Sequence, residues 1–209
     1  YDLLSLEERR FLRWMSVFAG GLWLESAEAL GHALGLDPDR SLDAVTALVE
    51  SGLVTRSTPS HAEGRVHLFE TIREFGVEQL TESGELDAAR MAHAMHFQAF
   101  ACAGAPRPYE SIPVAWVGRL ATEYPNLLAA FDFLCVPETT EQSLQFAAAM
   151  GPYWHTRGPF SEWQPRLSRA LGLASSEPTV LKAHVLFWMS LIQGTSPDYS
   201  EALVTASRC

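Results

Sequence analysis

Seven histidines, three cysteines and six tryptophans are the side chains best able to do chemistry in this 209-residue sequence. His93 and His96 stand three residues apart, which on a helix places both on one face, and Cys102 follows on the same segment. Those three residue types could share a zinc-like ion. A single His-x-x-His pair on an apolar helix is more often a partly buried structural pair, and no metal site is assigned. His67 falls in a strand-like stretch, where it packs or faces solvent. Trp154, His155 and Trp163 offer an aromatic surface to a partner. The six tryptophans could also cage a cation, or, at helical spacing, serve as core and inter-repeat packing. The motifs of self-contained catalysis are missing. There is no GxxxxGK[ST] loop, no GxGxxG after a strand, no HExxH, no CxxC pair and no GxSxG elbow. No catalytic residue is expected, and no enzyme in its own right.

The elements that would position these residues begin with a capping box, Ser5-Leu6-Glu7-Glu8, ahead of an apolar helical stripe at Phe11, Leu12, Met15, Val17 and Phe18. Gly20-Gly21 stops that helix. A second helix fits Glu25 to Leu34, Asp37-Pro38-Asp39 reads as a turn, and a third helix fits Ser41 to Glu50. Leu53 to Ser57 has strand character, Thr58 to Gly64 is a polar loop, and Arg65 to Phe69 alternates like a returning strand. A fourth helix fits Glu70 to Leu80, ending near Gly84. Three helices followed by a two-stranded hairpin is the winged-helix order, in which the third helix often reads DNA. Here that helix carries Asp43 and Glu50 and no Lys or Arg within its body, and residues 1–83 hold fourteen acidic against seven basic groups. Phosphate and base contacts need donors, so the charge favours a packing module over a DNA reader.

The remainder reads as helix throughout. One long helix fits Glu85 to Ala105, broken by Pro106, Pro108 and Pro113, and a helix pair flanks Pro125. A second capping box, Thr139 to Gln142, opens a helix to about Thr156. Helices then fit Ser161 to Leu173, Thr179 to Ile192, and Asp198 to the end. Gly151, Trp154, Gly158, Trp163 and Ala170-Leu171 follow tetratricopeptide spacing, and Gln193-Gly194 recurs 36 residues after Arg157-Gly158. The fold expected is mainly α: a winged-helix domain with a small β-hairpin over residues 1–83, linking helices over 84–138, and the start of an all-α, tetratricopeptide-like helical-repeat domain over 139–209. An irregular helical bundle is the alternative for the last part.

Across the chain, 15 basic and 25 acidic residues give a net charge of -10, which disfavours nonspecific nucleic-acid binding and anionic membranes. Cys102, Cys135 and Cys209 are too few and too scattered for a disulfide framework, which suggests a reducing, cytoplasmic setting. The sequence lacks an initiator Met and a signal peptide, and is expected to be a piece of a longer protein.

Several stretches together resemble one family. Tyr1 to Glu8, Ser16 to Gly21 and Leu24 to Glu28 look like the segment after the NTPase domain of bacterial STAND-class regulators, the ATPases related to AfsR and LuxR-type transcriptional regulators. Leu42 to Val54 is similar to that family's third helix and first wing strand, Leu68 to Phe75 to its LLETIREYA stretch, Trp116 to Leu127 to the lead into its repeats, and Tyr153 to Glu162 to its first repeat. The resemblance implies a neighbouring NB-ARC-type domain that binds ADP or ATP, a winged helix packed on it, repeats that sense a protein or small-molecule inducer, and a separate output domain. In NB-ARC relatives a Met-His-Asp motif begins the helix after the wing, and its His approaches the ADP phosphate. Aligned on Ile72-Arg73-Glu74, those places hold Leu68, Phe69 and Glu70. The His is absent and Phe69 cannot donate. His67, on the same strand face as Phe69, and Glu70 are the remaining nucleotide-facing candidates. No cofactor is expected within this chain. A stand-alone helical adaptor and a DNA-binding winged helix are the alternative functions.

Overall fold

The structure is a computed structural model that describes residues 1, 3–57, 64–106, 110–157 and 160–193. Most of the polar loop expected at 58–64, the helix expected from Asp198 and most of the second repeat unit lie outside the described residues. The chain divides into two compact units, Tyr1–His96 and the stretch from Phe97 onward.

In the first unit, α1 (Leu6–Met15) starts at Ser5 for the reason the sequence implies. The Glu8 amide donates to the Ser5 hydroxyl and the Ser5 amide to the Glu8 carboxylate, at 3.3 and 2.7 Å. The next element was not expected. Leu22–Trp23 forms a short strand, β1, ahead of α2 (Leu24–Ala33). Two residues show no alternation, and the partner strand lies far along the chain, so no local pattern announces it. The segment expected as a turn at Asp37-Pro38-Asp39 is instead the start of α3 (Pro38–Glu50). Asp37 accepts the Arg40 amide at 2.9 Å, and Pro38 takes the first helical position, where its missing N–H costs nothing.

Strands β2 (Val54–Ser57) and β3 (Arg65–Leu68) pair antiparallel, with Val54 opposite Leu68 and Arg56 opposite Val66. β1 adds to the other edge of β3, with Leu22 opposite Val66, so the expected hairpin is a three-stranded sheet in the order β1-β3-β2. Helix α4 (Glu70–Ser83) returns against α1, and Arg10 and Arg13 of α1 both hold Glu85 just beyond it, at 2.8 and 2.9 Å. The core of the unit is Phe11, Leu12, Met15, Leu22, Leu48, Val54, Val66 and Leu80, all fully buried. Each such side chain contributes about 1.5–3 kcal/mol by leaving water. Helix α5 (Leu86–Gly104) follows, and the unit boundary falls within it.

The second unit is helical among its described residues. The pair expected around Pro125 is α6 (Val114–Thr122) and α7 (Tyr124–Leu134), with Pro125 in the first turn of α7. Helices α8 (Thr140–Arg157), α9 (Phe160–Leu173) and α10 (Val180–Gln193) follow, and α8 packs against all three of α7, α9 and α10. The second expected capping box begins at Thr139, just ahead of α8. Thr139 ends a 3₁₀ turn, and its hydroxyl donates to the Leu134 carbonyl at 2.7 Å. Gly151 sets the approach of α8 to α10, because a Cβ there would stand 2.2 Å from the Trp188 ring.

Candidate functional site

The nucleotide-facing candidates sit where β3 passes into α4. His67 lies on β3 opposite Thr55, half-buried, with its ring against the backbone of Gly21. Gly21 has a φ of +90°, and a Cβ on it would stand 2.6 Å from the Val66 carbonyl and 2.5 Å from the His67 ring. Only glycine supplies both that backbone and that clearance. Arg65, on the same strand, is buried and closes the other side of the turn. Its guanidinium donates to the Gly20 carbonyl at 3.0 Å and the Gly21 carbonyl at 3.2 Å, and stacks over Trp23. The Gly20-Gly21 pair is not the helix stop expected, since α1 already ends at Met15 with Ser16 as its cap; the pair is the turn that leads into β1.

Glu70 is exposed at the start of α4 and is taken up by Arg73, one turn later, at 2.6 Å. The Arg73 hydrogen bonds hold the Glu70 carboxyl below the usual carboxylate range, and Glu70 in return raises the Arg73 guanidinium. Arg73 also reaches the Ser16 carbonyl at 3.5 Å. The structure thus places His67 and Glu70 at neighbouring positions with different engagements, the first on the Gly21 turn and the second on Arg73. A carboxylate only accepts hydrogen bonds, so the donor in this corner suited to an anion is Arg73. In the sequence Arg73 falls within the Ile72-Arg73-Glu74 stretch that carries the family resemblance, and its i,i+3 spacing from Glu70 is the local signal of the pair.

The partner-binding candidates separate more sharply. Trp154 is 3% and Trp163 0% exposed. Their rings lie 4.6 Å apart, and Trp163 packs edge-on against Phe131 at 5.0 Å. The Trp163 indole donates to the Tyr124 hydroxyl at 2.9 Å, and that hydroxyl donates to Glu162 at 2.5 Å. Burial and the Glu162 carboxylate push the Tyr124 phenol well above its ordinary range. Both tryptophans are core in this fold, as the packing alternative had it, and neither offers a surface to a partner. Burial fixes them there because a large ring gains most where α7, α8 and α9 meet. The buried Trp154 N–H has no hydrogen-bond partner. His155 alone of the three is exposed, 6.1 Å from the ring of Trp188.

The histidine pair of α5 is structural in character. His93 is buried edge-on against Phe18 at 4.8 Å, and His96 bonds Ser26 of α2 at 2.9 Å. Among the described residues no group of three or more His, Cys, Asp or Glu side chains could hold a metal ion.

The outward face of α3 is the remaining surface of functional interest. Asp39, Asp43, Thr46 and Glu50 recur at helical spacing and are all exposed, while Arg40 is drawn aside by Glu7 at 2.5 Å. Where a winged helix that reads DNA presents donors, this one presents carboxylates. Among the described residues no helix is long and apolar enough to cross a membrane.

Over 164 residues, 78% of its length, the chain is 32% identical to a Mycobacterium tuberculosis protein that carries the provisional name HTH-type transcriptional regulator. A Mycobacterium bovis protein of the same name matches with the same identity and coverage. The matched segment is 18% of each. A second M. tuberculosis protein, named only as uncharacterized, is 32% identical over 99 residues, 47% of this chain and 25% of that protein. No family model matches the chain, and no solved structure matches it significantly. The chain spans about a fifth of the length of the first of these relatives, and over most of its own length it is homologous to one segment of proteins named as transcriptional regulators.

Proposed function

We propose that this chain is a non-catalytic regulatory segment of a larger STAND-type transcriptional regulator. In this reading the winged helix packs on a neighbouring nucleotide-binding domain of the same protein and favours its ADP-bound, closed form. A protein or small-molecule inducer at the helical part shifts the population toward the open, ATP-bound form. ATP and ADP belong to the neighbouring domain, the compartment is the cytoplasm, and the DNA-reading output lies elsewhere in the parent.

The observation that carries the reading is the acidic outward face of α3, Asp39, Asp43, Thr46 and Glu50. Carboxylates at those positions repel phosphates and suit a protein surface, which separates the helix-turn-helix name of the relatives from this winged helix. Three features support the nucleotide contact being weak or absent here: Phe69 where the family places a His, His67 turned onto Gly21, and Glu70 held by Arg73.

The test is a titration of the chain with random and genomic DNA duplexes at low salt, beside calorimetry with ADP and ATP. No duplex binding and no nucleotide binding are expected from this chain alone. Calorimetry with the parent's nucleotide-binding segment should show association that ADP strengthens. Tight, salt-sensitive duplex binding would replace the reading with a DNA-binding winged helix. A parent gene without an NTPase domain would leave a helical adaptor.

A further inference from the structure

We draw no further inference here: the strongest candidate, the exposed apolar stripe of Ala88, Met91 and Met95 along α5, is a helix face, and nothing in the structure shows what covers it.

Discussion

At the scale of single residues, His96 shows how burial turns a candidate ligand into a determinant of stability. Its ring bonds Ser26 inside the first unit, and loss of water lowers its pKa below the ordinary 6.5, with nearby Glu25 acting in the opposite direction. The folded chain then takes up this proton less readily than the unfolded chain. Stability from this group is complete above the unfolded pKa of about 6.5 and falls as pH drops below it, because the unfolded state gains protons first. Urea unfolding of the parent should show its midpoint falling between pH 7 and pH 5. In His96→Gln, which keeps a side chain able to bond Ser26, that fall should be smaller. Identical slopes would remove His96 from the account. The His-x-x-His spacing was plain in the sequence, but the choice between ligand and packing was not. That choice depends on Phe18 and Ser26, which sit on other elements.

Elements show the same division. Helices α4, α5, α9 and α10 are legible nearly to their ends, since their stripes and stops are local, whereas α1 ends at Met15, short of the Val17 and Phe18 expected in its stripe. The start of α3 was misplaced because Asp-Pro-Asp serves turns and N-caps alike, and only the Asp37 bond to the Arg40 amide decides. Strand β1 was invisible because its register exists only opposite β3. The α8–α10 contact is likewise tertiary. Gly151 fitted a repeat pattern, but its role is to admit the Trp188 ring. Gly151→Leu should destabilise the second unit by about 1–3 kcal/mol through overpacking. Gly118→Ala in α6, where nothing lies within 4 Å, should be neutral or stabilise by up to about 1 kcal/mol through helix propensity. Denaturant unfolding of the two variants checks both signs, and equal effects would mean that Gly151 is not a contact glycine.

For the whole molecule, charge placement matters more than charge total. The net charge of -10 disfavours nucleic acid only on average. The stripe of Asp39, Asp43, Thr46 and Glu50 puts the repulsion on the helix that would otherwise enter a groove. Replacing Asp43 and Glu50 by Lys changes the net charge from -10 to -6 and converts the lower half of the stripe to donors. That double variant should acquire weak, salt-sensitive duplex binding that the parent lacks, read by fluorescence anisotropy at low salt. If parent and variant bind alike, the stripe does not govern the surface that DNA meets.

The sequence by itself determined the mainly helical class, the winged-helix order of the first part, the absence of a phosphate loop and the acidic third helix. All of these are written in local spacing and composition. Tertiary structure decided what those patterns could not reach. It buried Trp154 and Trp163 in the core, seated His67 on Gly21, paired Glu70 with Arg73 and left one face of α5 open. Periodicity says that a face is apolar, whereas which surface covers it depends on residues far along the chain that pack against it.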